Sequence, residues 1–242
     1  MALRICILET DFLRPELVDQ YQGYGRMFER LFAQQPIAAT FTVYNVVDGH
    51  YPSDDERYDA YLVTGSKADS FGTDPWIHTL RTYLLERYER GDKLLGICFG
   101  HQLLALLLGG KSERSHQGWG VGTHRYQVAE QPAWMSPAMD ELTMLISHQD
   151  QVTALPENAT VIASSEFCPI AAYCIDDRVL CFQGHPEFVH DYSKALLEMR
   201  QQHLGEQIYQ QGIASLQHEH QGATVAEWMM RFVAQHRTAE LT

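Results

Sequence analysis

Residues 94–110 constrain the fold of this chain more than any other stretch. They read LLGICFGHQLLALLLGG, two apolar runs on either side of a short segment around Cys98. The run from Lys93 to Ile97 predicts a buried strand, and the run from Gln102 to Leu108 predicts a helix that ends at the paired glycines. Cys98 therefore lies where a strand turns directly into a helix, a corner at which α/β proteins carry nucleophiles.

Cys98 has a glycine two residues away on each side, Gly96 and Gly100. This is the spacing of the G-x-S-x-G nucleophile elbow, with sulfur in place of oxygen. Small neighbours allow a tight turn that exposes the side chain and directs it at the first N–H groups of the helix, which favour a thiolate or an oxyanion. The alternative is a buried small apolar residue, as most free cysteines are. A membrane span is excluded, because the uninterrupted apolar run from Leu103 to Leu108 is far shorter than the roughly 20 residues that a span needs.

A second motif supplies a base for this cysteine. His185 and Glu187 follow an apolar strand pattern that begins at Val179, and Pro186 between them restricts the backbone. The predicted roles are that Cys98 attacks a carbonyl, His185 takes the thiol proton and returns it to the leaving amine, and Glu187 orients His185. A lone His-Pro-Glu segment would mean little, but the two motifs together are far more specific, since a triad is recognised by geometry and role.

The two motifs, GICFGHQ at residues 96–102 and GHPE at residues 184–187, resemble those of the class I (triad) glutamine amidotransferases, and among them the glutaminase domain of GMP synthase and its stand-alone relatives. The resemblance covers nearly the whole chain. It implies a flavodoxin-like α/β fold, attack by Cys98 on the γ-carboxamide of glutamine, a γ-glutamyl thioester and release of ammonia. Because the residues after Glu187 read as helices rather than as a fused synthetase, the chain would hydrolyse glutamine alone or supply a separate acceptor subunit.

Further site residues follow from this resemblance. The TGS segment at residues 64–66 matches the family's oxyanion loop, which implies that the N–H of Phe99, together with that of Gly65 or Ser66, holds the oxyanion. Three more positions match residues that hold or line the glutamine: Gln102, Ser147 and His148.

The loop at residues 64–67 departs from the GMP synthase pattern. Those enzymes usually carry Ser-Gly-Gly-Pro where this chain has Thr-Gly-Ser-Lys, and the run from Gly65 to Trp76 resembles the γ-glutamyl peptidases of the same superfamily, which cleave a γ-glutamyl peptide bond. Three functions therefore stay open: a glutaminase, a γ-glutamyl peptidase with the same triad, and a catalytically quiet regulatory subunit. The intact triad disfavours the third.

Composition and charge favour a soluble enzyme. The 242 residues are 45 % hydrophobic and 11 % aromatic, enough for one buried core, and predict a single domain over residues 1–242. A formal net charge of −13 disfavours nucleic acid and anionic membranes as partners. The first apolar run is interrupted by Glu9 and Asp11, so no signal peptide is predicted and the expected location is cytoplasmic.

Neither a cofactor nor a metal is predicted. The Gly110-Lys111-Ser112 triplet follows a helix instead of opening one, so it reads as a helix end rather than a phosphate loop, and no dinucleotide motif follows the first strand. The densest histidine group, His218-Glu219-His220, lacks the i, i+4 spacing of a helical zinc pair. Five cysteines without paired spacing argue against disulfides. Four of them lie in strand-like contexts and are predicted to be core: Cys6, Cys168, Cys174 and Cys181.

The remaining patterns predict an open, mostly parallel sheet in three layers, with added antiparallel hairpins and C-terminal helices. The predicted elements are strands at Leu3–Glu9, Phe41–Val47 and Ala60–Thr64, helices near Glu16–Phe32 and at Pro75–Glu89 with Asp74 as its N-cap, short strands from Val121 to Gln183, and helices at Tyr192–Leu204 and Thr224–His236. An apolar stripe on the last helices is compatible with a homodimer but is more typical of a core.

Overall fold

A computed structural model describes residues 2–235 of the protein. In chain order the elements within these residues are β1 (Leu3–Glu9), α1 (Pro15–Tyr21), α2 (Tyr24–Phe32), β2 (Ala39–Asn45), β3 (Ala60–Val63), α3 (Pro75–Glu89), β4 (Leu94–Ile97), α4 (Phe99–Leu107), β5 (Lys111–Arg114), β6 (Gly120–Val128), β7 (Glu141–His148), β8 (Asp150–Ala154), β9 (Ala159–Ser164), β10 (Ala172–Ile175), β11 (Val179–Phe182), α5 (His190–Leu204), α6 (Glu206–Ser215) and α7 (Gly222–Ala234).

A nine-stranded sheet forms the centre of the molecule, in the order β2-β1-β3-β4-β11-β10-β9-β6-β7. The first five strands are parallel, and their order is the flavodoxin-like 2-1-3-4-5 arrangement. The other four pairings are antiparallel, so the predicted hairpins extend the parallel half at the β11 side. The α/β fold class predicted from the sequence is confirmed.

Helices cover both faces of the parallel half, because alternate residues of its strands point to opposite sides. On one face Ile5 and Ile7 of β1 join a core with α2 and α7, and on the other Cys6 and Leu8 join a core with α3 and α4. The apolar stripe of α7 lies in the first of these cores, where Trp228 is completely buried. All four cysteines predicted as core residues are buried: Cys6, Cys168, Cys174 and Cys181.

Local differences from the predicted elements have physical causes. The helix expected over Glu16–Phe32 is two helices, because Gln22 adopts a left-handed conformation (φ 67°) and Gly23 has φ 140°. The N–H of Gly25 then donates to Glu9 at 2.9 Å, which fixes the start of α2. The Gly110-Lys111-Ser112 segment, predicted as a helix end, continues into β5, and α6 is an element that the sequence did not predict. Asp74 occupies the N-cap of α3 as predicted, without a side-chain hydrogen bond to the helix.

The last helix ends at Ala234, and His236 of the predicted helix lies outside the described residues. Within residues 2–235, no helix has both the length and the apolar character needed to cross a membrane.

Candidate active site

Cys98 lies at the turn from β4 into α4, as the glycine spacing predicts. It is the N-cap residue of α4, with φ 50° and ψ −98°, a strained conformation for a residue that has a side chain. The flanking glycines permit this turn by close packing. A Cβ added to Gly100 would lie 2.4 Å from the carbonyl oxygen of Val63, and one added to Gly96 would lie 2.7 Å from the carbonyl group of Gly100.

His185 and Glu187 form a buried pair directly after β11. Nδ1 of His185 lies 2.8 Å from Oε1 of Glu187, and the backbone N–H of His185 donates to the carbonyl oxygen of Leu145 at 2.9 Å. The ring of Phe188 stacks on the imidazole with centroids 3.8 Å apart. Both members of the pair are 4 % exposed. Glu187 therefore holds one edge of the imidazole ring and Phe188 holds one face, while the backbone hydrogen bond to Leu145 fixes the position of His185.

Two neighbouring side chains act on His185 in this setting. Burial alone would lower its pKa, but the Glu187 carboxylate and the nearby Cys98 sulfur raise the pKa to about 10. The imidazolium form therefore persists at neutral pH. That form is the one that donates a proton to a leaving amine.

Gly65 brings the loop after β3 against the side chains of Cys98 and His185. A Cβ added to Gly65 would lie 2.7 Å from Cε1 of His185 and 3.5 Å from Cβ of Cys98. The loop residues Gly65 and Ser66 line a narrow cleft that also contains Cys98 and His185. Phe99 begins α4, so its N–H belongs to the first turn, where backbone donors have no partner within the helix. The structure thus brings the sequence-predicted oxyanion residues to one place.

The predicted substrate residues line a wider cavity of about 450 Å³ that opens beside Cys98. Gln102 is buried there and donates to the carbonyl oxygen of Asp150 at 2.8 Å. His148 holds Nδ1 at 3.0 Å from the same carbonyl oxygen, and burial lowers its pKa to about 3, so the ring is neutral. Ser147 is half-buried and its hydroxyl accepts a hydrogen bond from Arg200 at 2.5 Å.

Two residues missed from the sequence shape the loop after β3. Thr10 Oγ1 donates to the carbonyl oxygens of Thr64 (3.1 Å) and Gly65 (2.9 Å). Asp11 accepts from the backbone N–H of Lys67 at 2.9 Å. Both residues directly follow β1, whose carboxyl end lies beside that of β3. Their position after a parallel strand, where open α/β sheets bind ligands, is a signal that could have revealed them.

Comparison with known families agrees with this geometry. A family model for the class-I glutamine amidotransferases matches residues 17–201. The chain belongs to the class I glutamine amidotransferase family. It is 31 % identical over 195 residues to γ-glutamyl peptidase 3 of Arabidopsis thaliana, an alignment that covers 77 % of this chain and 76 % of the relative.

The chain is also similar to a GMP synthase and to a solved glutamine amidotransferase. The glutamine-hydrolysing GMP synthase of Streptococcus equi subsp. equi is 30 % identical over 181 residues, which cover 69 % of this chain but only 32 % of the synthase. A solved glutamine amidotransferase from Thermotoga maritima superposes with a TM-score of 0.77 over 96 % of this chain and 99 % of the other, at 18 % identity. At that identity the structural match shows the shared fold. Among residues 2–235, no group of three or more His, Cys, Asp or Glu side chains is arranged to hold a metal ion.

Proposed function

We propose that the chain is a cysteine amidohydrolase that cleaves a γ-glutamyl amide bond through a thioester on Cys98, with glutamine as the first candidate substrate. The observation that carries this proposal is the strained position of Cys98 at the start of α4, in the same narrow cleft as His185, whose ring Glu187 holds at 2.8 Å. A nucleophile, a base and an orienting carboxylate brought together are the arrangement that covalent amide hydrolysis needs.

In the proposed first half-reaction, the Cys98 sulfur attacks the γ-carbonyl carbon and the carbon–nitrogen bond breaks. His185 gives its proton to the departing nitrogen, which leaves as ammonia. In the second half-reaction, His185 takes a proton from water, the resulting hydroxide attacks the thioester, and the sulfur leaves from carbon to regenerate Cys98. The products are glutamate and ammonia, and the role of Glu187 is to orient His185.

The oxyanion formed in each half-reaction is proposed to bind the N–H of Phe99 together with that of Gly65 or Ser66. One such donor is typically worth about 3 kcal/mol of transition-state stabilisation. The residues proposed to contact the γ-glutamyl group are those that line the cavity beside the nucleophile: Gln102, Ser147 and His148.

A γ-glutamyl peptide is the second candidate substrate. The cavity of about 450 Å³ falls within the range of roughly 300–1,000 Å³ that is typical of sites for larger organic ligands, so it offers room beyond the scissile amide. The similarity to γ-glutamyl peptidase 3 over 77 % of the chain supports the same substrate class. A catalytically quiet regulatory subunit is disfavoured, because Cys98 and His185 line one cleft and Glu187 contacts His185.

The biological setting that we propose follows from these alternatives. With glutamine as substrate, a separate synthetase subunit would consume the ammonia; with a γ-glutamyl peptide, no acceptor is needed. We propose that residues 1–242 act as one domain, without a cofactor, metal, nucleic acid or membrane as partner. Five free, buried cysteines suit a reducing compartment and support a cytoplasmic location. A homodimer through the α7 stripe is not proposed, since that stripe lies in the core.

The test of this function is the release of products by the purified chain from glutamine and from a γ-glutamyl dipeptide, measured in parallel with Cys98→Ala. Ammonia from glutamine, lost in the variant, would establish a glutaminase. Cleavage of the dipeptide without activity on glutamine would establish a γ-glutamyl peptidase. Equal rates for the wild type and Cys98→Ala with both substrates would contradict the proposal.

A further inference from the structure

One wall of the cavity beside Cys98 is formed by α5 and by the residues just before β6. Trp119, Met199, Arg200 and His203 belong to this wall. The guanidinium of Arg200 lies over the ring of Trp119, 5.5 Å from its centroid, and His203 meets the same indole edge-on at 5.6 Å. Arg200 also donates to the Ser147 hydroxyl at 2.5 Å. These contacts hold the guanidinium in one orientation within the cavity.

The cavity has more positive charge than its carboxylates balance. Four cationic side chains line it: Arg14, Lys67, Arg114 and Arg200. Lys67 pairs with Asp11 at 2.8 Å, and Arg114 pairs with Asp69 and Asp150, each at 3.2 Å. Within residues 2–235, no carboxylate lies at ion-pair distance from Arg14 or Arg200. In a chain of net charge −13, cations without a counter-ion beside a nucleophile favour an anionic ligand.

Arg200 stands at the junction between the reactive cleft and the wider cavity. It lines the narrow cleft that contains Cys98 and His185, and it also lines the cavity that opens beside that cleft. Arg200 is half-buried, whereas Arg14 is exposed. A partly desolvated guanidinium binds a carboxylate more strongly than one in bulk water does, because its charge is less screened.

We propose that Arg200 and Trp119 form a leaving-group subsite that selects γ-glutamyl peptides whose leaving residue carries a free carboxylate. This inference rests on the proposed γ-glutamyl hydrolase function and names the substrate class within it. Arg200 binds the carboxylate, and Trp119 and Met199 pack against the apolar part of the leaving residue. Ser147, proposed above to contact the γ-glutamyl group, also holds the Arg200 guanidinium in place through their hydrogen bond.

The position of the wall favours the leaving group over the γ-glutamyl group itself. The cavity floor at Gln102, His148 and Asp150 is buried, which suits the constant γ-glutamyl part of a substrate. The wall is more accessible: Trp119 and Arg200 are half-buried, and His203 is exposed. A leaving residue of variable size needs this open side, while its α-carboxylate is an anion that all free amino acids carry.

The experiment measures binding to Cys98→Ala, so that it does not depend on turnover. The two probes are γ-glutamylphenylalanine and its C-terminal amide, which differ only in the carboxylate of the leaving residue. Calorimetry should show that Cys98→Ala binds the acid about 10- to 100-fold more tightly than the amide, the usual range for charge-assisted hydrogen bonds. Adding Arg200→Gln should reduce that preference to within about twofold, and Arg200→Lys should keep part of it.

Lys194→Gln is the matched control, because it removes one positive charge from the exposed face of the same helix. In that background the preference for the acid should persist. Three outcomes would overturn the subsite. In the first, Cys98→Ala binds the acid and the amide equally tightly, and in the second it binds neither probe. The third outcome is that adding Arg200→Gln weakens the binding of both probes by the same factor. Failure of the proposed function looks different: the probes would bind with the expected preference, but the wild type would cleave neither glutamine nor the dipeptide.

Discussion

The narrow cleft at Cys98 and the wall at Arg200 border the same cavity but are built in different ways. The cleft comes from short segments at the carboxyl ends of parallel strands, with buried side chains and glycines that leave no room for a Cβ. The wall comes from a helix and a loop far apart in sequence, and its side chains are half-buried or exposed. Backbone packing therefore positions the proposed chemistry, whereas side-chain contacts between distant segments shape the proposed specificity.

The largest effect is expected for Cys98→Ala, which removes the proposed nucleophile from the cleft. Loss of a group that acts as part of a triad typically lowers kcat by about 10⁴-fold or more. The matched control is Cys174→Ala, a buried cysteine in β10 outside both regions. Steady-state assays on the better substrate should show near-wild-type kcat for the control. Similar losses in both variants would mean that the effect comes from the fold.

The next largest effect is expected for Glu187→Gln, which removes the larger of the two contributions that raise the pKa of His185. The pKa should fall from about 10 toward its ordinary value of 6.5, and kcat should fall by about 10⁴-fold. Activity that needs the imidazolium is lost as pH rises through the His185 pKa. The alkaline limb of the kcat–pH profile should therefore move from near pH 10 in the wild type to lower pH in the variant.

Stability gives an independent readout of the same pair. Because the folded-state pKa of His185 is raised, its stabilising contribution is fully present below pH 6.5 and disappears as pH rises toward 10. Denaturant unfolding should show a stability gap between wild type and Glu187→Gln that narrows over this range. A gap independent of pH, or an unmoved alkaline limb, would contradict the electrostatic role.

A smaller effect is expected where the loop after β3 meets the cleft. In Gly65→Ala the new Cβ would lie 2.7 Å from His185, so the ring must move, and displacement of a reacting group by about 1 Å costs about 10²-fold in kcat. Ser66→Ala is the control, because the proposed oxyanion donor at this loop is a backbone N–H. Its kcat should change by less than about tenfold. The reverse order would place the oxyanion donor in the Ser66 side chain.

The smallest effect is expected for Thr10→Val, which keeps the side-chain shape but removes the donor to the carbonyl oxygens of Thr64 and Gly65. The loss of this buried donor, which leaves the Gly65 carbonyl oxygen with only the longer hydrogen bond from Thr64 Oγ1 (3.3 Å), should lower the free energy of unfolding by about 1–3 kcal/mol. A loosened loop should also reduce kcat by about tenfold. Thr42→Val, an exposed site on β2, is the matched control for both measurements. Unchanged activity in a destabilised Thr10→Val would confine Thr10 to a structural role.

The same contrast explains what could be predicted from sequence. The segment around Cys98 and the His-Pro-Glu segment each follow a strand directly, so the local sequence pattern was enough to predict where they lie. The alternation of apolar strands with helical segments predicted the parallel sheet. The roles of Thr10 and Asp11 depend on β1 lying beside β3. The Arg200–Trp119 contact joins residues 81 positions apart in a geometry that no local pattern encodes. Similarly, the start of α2 depends on the hydrogen bond from Gly25 to Glu9, a residue of β1.

The most direct test of the central claim is mass spectrometry of the wild-type protein quenched with acid during turnover of a γ-glutamyl substrate. The intact protein should gain the mass of one γ-glutamyl group, and peptide mapping should locate that group on Cys98 as a thioester that hydroxylamine removes. Cys98→Ala should show no adduct. Substrate consumption with no adduct on Cys98 under any quench time, or an adduct on a different residue, would contradict the claim.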